Sequence, residues 1–272
     1  MKPRTIMFSL IALAVLCASP AAAGAHTLGF VPLDTTVNML SPDVYISPAL
    51  TTGADYVNYN SVANVSSVGY SVDAEGGGPW AIVGMGTVSI GYKRMLTQMT
   101  LHQPAYSGSN TFEADVYTLK WAPGRNIKML PENGQFTVGS VLYFERTSQE
   151  DFNFQQHFAA LGFDFGPVRL KGGYNWTEGR LAGNSGVFAS FQWEVVDNWL
   201  LYVDYSDKDL NKLILSDIYL PRLGFDCAKC RDDATSIGLS ARFEDNMYAT
   251  IGMYDAQDIE AVMGSLSMKW EY

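Results

Sequence analysis

The sequence predicts an all-β fold: a transmembrane antiparallel up-and-down β-barrel of about 12 strands, with roughly 10 to 14 as its range. Three observations carry that prediction. The last ten residues alternate, with Leu266, Met268, Trp270 and Tyr272 on one side of an extended chain and Ser265, Ser267, Lys269 and Glu271 on the other. Segments of the same alternation recur in close succession from residue 112 onward. The stretches joining them are short and long in turn, the rhythm of a barrel with tight turns at one rim and loops at the other.

The N-terminus is consistent with an exported chain. Lys2 and Arg4 precede an apolar run at 6–16 and a small-residue region at 20–25, which together read as a signal peptide over residues 1–25, too short to span a membrane as a helix. Cleavage is expected after Ala23 or Ala25. Cys17 follows the bulky Leu16, an unfavourable context for lipid modification. The whole chain has 18 Lys plus Arg and 28 Asp plus Glu; without Lys2 and Arg4 the balance is 16 to 28, a net charge of −12. Such a surface has no use for nucleic acid, which is held by neutralising phosphates. No later stretch approaches a membrane helix, so a membrane-spanning chain of this composition has to be a closed barrel.

Residues 26–53 read as an N-terminal lead-in interrupted by Pro32, Pro42 and Pro48, and residues 54–272 as the barrel. Residues 57–73 hold one or two strands, and Gly76, Gly77, Gly78 and Pro79 read as a turn. Residues 80–96 read as one tilted strand in which Trp80, Ile82, Val88, Ile90 and Tyr92 share a face and Gly84 and Gly86 soften a bend. Nine further strands are expected at 112–121, 135–146, 157–165, 168–177, 187–195, 199–205, 236–243, 247–254 and 263–272. Counted back from the C-terminus, the compact connections are 244–246, 197–198 and 166–167, rich in turn residues. The others are 257–260, 206–235, 178–186 and 147–156, and the rhythm weakens at 122–134. A soluble β-sandwich also alternates, but its apolar rows face a shared core, and it has no reason for this rhythm or for a terminal aromatic.

With apolar rows facing lipid, the opposite rows face a lumen. They carry Lys120, Glu145, Asp164, Arg169, Lys171, Gln192, Glu194, Asp204, Arg242, Lys269 and Glu271, five basic and five acidic residues around one amide. Two readings stay open. A narrow water-filled pore would feel a field shaped by both signs, whereas a plugged interior would neutralise its own charges. The outer loops are acidic, with Glu150, Asp151, Asp207, Asp209, Asp217, Asp232 and Asp233, which disfavours anionic solutes and attracts divalent cations.

No enzyme, cofactor or metal site is expected. Cys227 and Cys230 read as a loop disulfide, with free thiols and metal or redox chemistry as alternatives; Arg231 replaces the His of a haem-attachment motif, and no second ligand pair is visible. A lipid hydrolase at the outer rim would need a base, and His102 and His157 both fall near that rim, but no Gly-x-Ser-x-Gly motif supplies a nucleophile.

With its strands indexed, the chain resembles the Gram-negative outer-membrane β-barrels over residues 55–272. The resemblance implies that the signature Leu266, Met268, Trp270, Tyr272 is read by the barrel-assembly machinery, and that outer-membrane lipid and lipopolysaccharide surround the wall. The stretches 186–193 and 200–205 are similar to hairpins of the YjbH-like barrels associated with exopolysaccharide secretion. That similarity implies a role beside export of a polysaccharide and assigns no functional residue; the polar lumen makes a small passive, porin-like channel for a polar solute the leading expectation, with a structural or surface-interaction barrel of closed lumen as the alternative.

Overall fold

The computed structural model describes residues 46, 48–65, 70–103, 106–123, 130–146, 153–179, 182–207, 233–244, 246–256 and 259–271. Among them are twelve strands: β1 Ala49–Val65, β2 Tyr70–Gly84, β3 Val88–Gln103, β4 Tyr106–Trp121, β5 Gly134–Glu145, β6 Asn153–Asp164, β7 Val168–Gly179, β8 Ser185–Val196, β9 Trp199–Ser206, β10 Ala234–Arg242, β11 Met247–Ala256 and β12 Ile259–Glu271. Each is antiparallel to its sequence neighbours, and β1 pairs with β12 from Ala49↔Glu271 to Asn60↔Glu260, so the sheet closes into a barrel. The first strand thus begins at Ala49, within the stretch read from sequence as lead-in.

Ring closure fixes the dimensions. Tyr56 pairs with Gly77, Gly77 with Leu96 and Leu96 with Glu113, and the registers carried once round the ring return to β1 about 14 residues further along. Twelve strands with that stagger tilt by about 40° and enclose a backbone cylinder of roughly 11 Å radius. Side chains of ordinary length occupy most of the space inside such a cylinder. The strands are uneven: β1 to β4 run 15 to 17 residues, β9 and β10 only 8 and 9. One side of the wall is therefore taller.

The pleat sorts the residues. On β4, Ala114, Val116, Thr118 and Lys120 are buried inside while Tyr117, Leu119 and Trp121 are exposed. On β12, Met263, Ser265, Ser267 and Lys269 are inside; Val262, Leu266 and Trp270 are outside, Leu266 at 62% exposure. Ile251 (66%), Leu161, Leu170, Val187, Phe191, Val203 and Ile90 continue a belt of exposed apolar side chains around the wall. The expected alternation and the twelve strands are thus observed.

Two local expectations are overturned. The stretch 80–96 is not one strand: it turns at Met85, Gly86 and Thr87, where Gly86 takes φ 81° and the Met85 amide donates to the Val88 carbonyl. Even-numbered residues face inward on β2 and outward on β3, so Trp80 lies inside and Ile90 and Tyr92 outside although all fit one period. The glycine run is not a turn either, because Gly76 to Pro79 lie within β2. Gly77 and Gly78 take φ 148° and 159°, and a Cβ on either would strike backbone, the Asp55 carbonyl for Gly77 and the Arg94 carbonyl for Gly78. With β2 turned in this way, the Gly78 amide donates to Asp55 Oδ1 at 3.2 Å.

Large interior side chains lie against places where the wall has no side chain. The Phe158 ring occupies the space a Cβ on Gly139 would need, Phe188 that of Gly173, Trp80 that of Gly53, and the Tyr202 phenol that of both Gly238 and Gly252. Tyr143 and Phe154 stack with centroids 4.7 Å apart. Rings pressed to the wall take less of the central space than rings pointing across it.

Gly78→Ala should cost at least about 1–3 kcal/mol, because its backbone would be forced out of a region that only glycine adopts readily. Urea unfolding of the refolded barrel checks this, with Gly86→Ala, whose Cβ meets nothing within 4 Å, as the milder comparison.

Candidate functional site

The ten charged residues predicted for the interior fall on the inward rows. Lys120, Glu145, Lys171, Asp204 and Lys269 are buried, and Asp164, Arg169, Glu194 and Arg242 are half-buried. Glu271 stands at the rim, with its side chain 67% exposed. Several are joined: Arg169 Nε donates to Asp164 Oδ2 at 3.1 Å between directly paired residues of β7 and β6, and Lys269 Nζ donates to Glu271 Oε1 at 2.6 Å. Glu194 lies at a register shift between β8 and β9, and its amide donates to the Pro167 carbonyl.

One buried ion pair lies outside the residues predicted for the interior. Lys93 on β3 donates to Asp55 Oδ2 at 2.7 Å, with side-chain exposures of 3% and 0%. Asp55 on β1 thus takes the lysine on one oxygen and the Gly78 amide on the other, so three consecutive strands meet in one carboxylate. The charges of Asp55 and Lys93 were legible; their pairing was not, because it depends on the register of β1, β2 and β3 and on the turn at residues 85–87, which the reading of 80–96 as one strand left out.

The interior also presents hydroxyls. Thr250 Oγ1 donates to Ser240 Oγ at 2.9 Å. Thr118, Ser190, Ser206, Ser236 and Ser265, on β4, β8, β9, β10 and β12, turn buried hydroxyls inward with no protein partner. A wall of this kind, with both charge signs and spare hydroxyls, is chemically suited to water and to small polar molecules.

The outward wall carries a second set of polar groups, beside the aromatic contacts Tyr92–Tyr117 (5.2 Å) and Tyr117–Phe144 (5.9 Å). Tyr92 donates its hydroxyl to Asp115 at 2.8 Å, Arg146 pairs with the same carboxylate, and Arg94 donates to Glu113 at 2.7 Å. Tyr56 donates to Glu75 at 2.6 Å. Of the two histidines considered as bases, His102 lies beside Asp73 (3.1 Å), with both side chains about half exposed. His157 contacts Ser140 through Nδ1 at 2.7 Å and approaches Glu178 through Nε2 at 3.7 Å.

Of the closing-strand signature, Leu266 and Trp270 are exposed and Met268 is half-buried, while Tyr272 lies outside the described residues. Cys227 and Cys230 also lie outside them, as do Glu150, Asp151, Asp209, Asp217 and Asp232. No group of three or more His, Cys, Asp or Glu suited to a metal occurs among the described residues.

No family model matches the chain, and no curated protein matches it. Among solved structures it is similar to an outer-membrane channel from Pseudomonas putida F1, with a TM-score of 0.55 and 10% identity over 85% of this chain and 99% of that one. It is similar to the KdgM porin, crystallised with disordered oligogalacturonate, with a TM-score of 0.52 and 7% identity over 80% and 99% of the two chains. The outer-membrane phospholipase of Salmonella typhi aligns at a TM-score of 0.45 and 12% identity, over 86% and 96%. At these identities the first two establish a shared barrel fold and nothing finer.

Lys93→Met leaves the Asp55 carboxylate buried without its cation and should destabilise the barrel by about 3–5 kcal/mol, whereas Asp55→Leu combined with Lys93→Met should recover most of that loss. Urea titration of the three proteins in the same detergent measures both effects.

Proposed function

We propose that the chain is a Gram-negative outer-membrane barrel and works as a narrow passive channel for small polar solutes. The inward hydroxyls on five strands carry this reading. Thr118, Ser190, Ser206, Ser236 and Ser265 stand beside charged side chains of both signs, and an interior this polar suits water and polar solutes better than an apolar packing would. The inner wall performs no bond-breaking in this reading. Its radius limits solute size, and its paired charges keep the field weak, so that neither ion sign is excluded. The ten residues Lys120, Glu145, Asp164, Arg169, Lys171, Glu194, Asp204, Arg242, Lys269 and Glu271 line the passage.

The wall supports this location. An exposed belt of Leu, Ile, Val and aromatic side chains around a closed barrel suits a hydrocarbon surrounding, and closure leaves no strand edge unpaired in lipid. Export through a signal peptide over residues 1–25, and insertion by the barrel-assembly machinery acting on Leu266, Met268, Trp270 and Tyr272, belong to the same reading. So do contacts with outer-membrane lipid and lipopolysaccharide. A role beside polysaccharide export rests on the β8–β9 hairpin, which spans the two stretches similar to YjbH-like barrels.

Purified protein in a planar bilayer should give discrete conductance steps. In Lys171→Glu, a salt gradient should move the reversal potential toward cation preference. A wall that never conducts, in protein that is folded and inserted, would overturn the channel and leave a closed structural barrel. Independently, Leu266→Arg should lower stability in lipid vesicles by roughly 2–4 kcal/mol if Leu266 sits near the bilayer midplane, read from urea-driven unfolding.

A further inference from the structure

Ser140 on β5, His157 on β6 and Glu178 on β7 stand on three neighbouring strands and point outward, away from the passage. Ser140 and His157 are direct cross-strand partners, with Oγ and Nδ1 2.7 Å apart. Glu178 Oε2 lies 3.7 Å from Nε2, beyond hydrogen-bond length but close enough for its charge to favour the proton on that nitrogen. Nδ1 is then the unprotonated nitrogen, and the Ser140 hydroxyl donates to it. A nucleophile, a base and an acid that sets the base's tautomer are therefore arranged in series.

The surroundings suit an amphiphilic substrate. Trp176 is the direct partner of His157 on β7, with ring centroids 5.5 Å apart, and Tyr174 beside it is exposed. Leu161 and Phe144 are exposed on the same face of β6 and β5. The His157 side chain is 21% exposed and that of Glu178 63%, so an ester approaching from outside can reach them. Below them the outward rows are apolar, with Phe136 and Val138 on β5, Ala159, Leu161 and Phe163 on β6 and Val168, Leu170 and Tyr174 on β7, so the polar group sits at the edge of an apolar face.

We propose that Ser140, His157 and Glu178 form a hydrolytic centre on the outer wall that cleaves acyl esters of amphiphiles in the adjoining leaflet. The assignment rests on reading this wall as lipid-facing, and it is independent of conduction. Ser140 Oγ attacks the ester carbonyl carbon as its proton passes to His157 Nδ1. The C–O bond to the alcohol breaks, and the departing oxygen takes the proton from Nδ1, leaving an acyl ester on Ser140. Water then gives a proton to Nδ1, and its oxygen attacks the acyl carbon. The carboxylic acid leaves, and the proton returns to Oγ. Gln155, exposed on the same row and directly opposite Glu178, carries an amide N–H for the developing oxyanion.

The test uses the folded full chain in detergent micelles, with a fluorophosphonate probe and a soluble p-nitrophenyl acyl ester, and then phosphatidylcholine vesicles carrying a fluorogenic acyl chain. The expected result is phosphonylation mapped to Ser140 by peptide mass spectrometry, together with ester release. Both should be lost in Ser140→Ala, labelling should slow by about 10²-fold or more in His157→Gln, and Glu178→Gln should lower the rate while Ser140 remains labelled. Heat-dependent gel mobility verifies that each variant is folded. Absence of labelling in the folded unmodified protein, or ester release that persists in Ser140→Ala, overturns the proposal. Activity toward the soluble ester without activity in vesicles would retain the centre and place the error in the lipid-facing reading.

Discussion

Pairing of the first strand with the last is the interaction on which the rest of the barrel depends. Twelve consecutive register pairs, from Ala49↔Glu271 to Asn60↔Glu260, turn an open sheet with two bare edges into a ring with none. In an apolar surrounding each unpaired amide or carbonyl costs several kcal/mol, so closure is a condition for such a wall to exist at all. It also determines geometry. Strand number and stagger together set the tilt and the radius, and the radius decides how much of the interior its own side chains fill.

That interior is organised to keep its contents against the wall. Phe158, Phe188, Trp80 and Tyr202 lie over Gly139, Gly173, Gly53 and the Gly238/Gly252 pair. Charges are neutralised close to where they arise, as in Asp55 with Lys93 and Asp164 with Arg169. Both devices stiffen neighbouring strands laterally. The Asp55 carboxylate does so across three of them, since it accepts from Lys93 and from the Gly78 amide that the irregular backbone of β2 directs toward it. The interior hydroxyls on five strands add to a polar lining, and that polarity supports the reading of a water-compatible passage.

The outer wall is less uniform than an apolar belt alone would be. Arg94, Glu113, Asp115 and Arg146 satisfy one another on the β3–β5 sector, where β3 and β4 are long and the wall is tall. Ser140, His157 and Glu178 lie on the adjoining strands among exposed aromatics. The first group compensates charge by charge and needs no further purpose. The second contains a basic nitrogen turned toward a hydroxyl, an arrangement with a chemical use.

What the chain determined on its own was everything with a period of two. The nine strands from residue 112 onward, their apolar and polar rows and the compact turns were legible because alternation is local, each side chain being placed by its two neighbours along the strand, while the total of twelve also drew on the preference of barrels for even numbers. The N-terminal third was harder for a physical reason. Residues 80–96 keep one apolar period through a turn, since the interior accepts Trp80 as readily as the exterior accepts Tyr92. Glycines that look like a turn at 76–78 instead serve a strand whose neighbours come too close for a Cβ. Tertiary structure alone decided the pairings. Asp55 and Lys93 are 38 positions apart, and Ser140, His157 and Glu178 belong to three strands. Which residues stand opposite one another depends on hydrogen-bond register, and register is settled only when the whole ring closes.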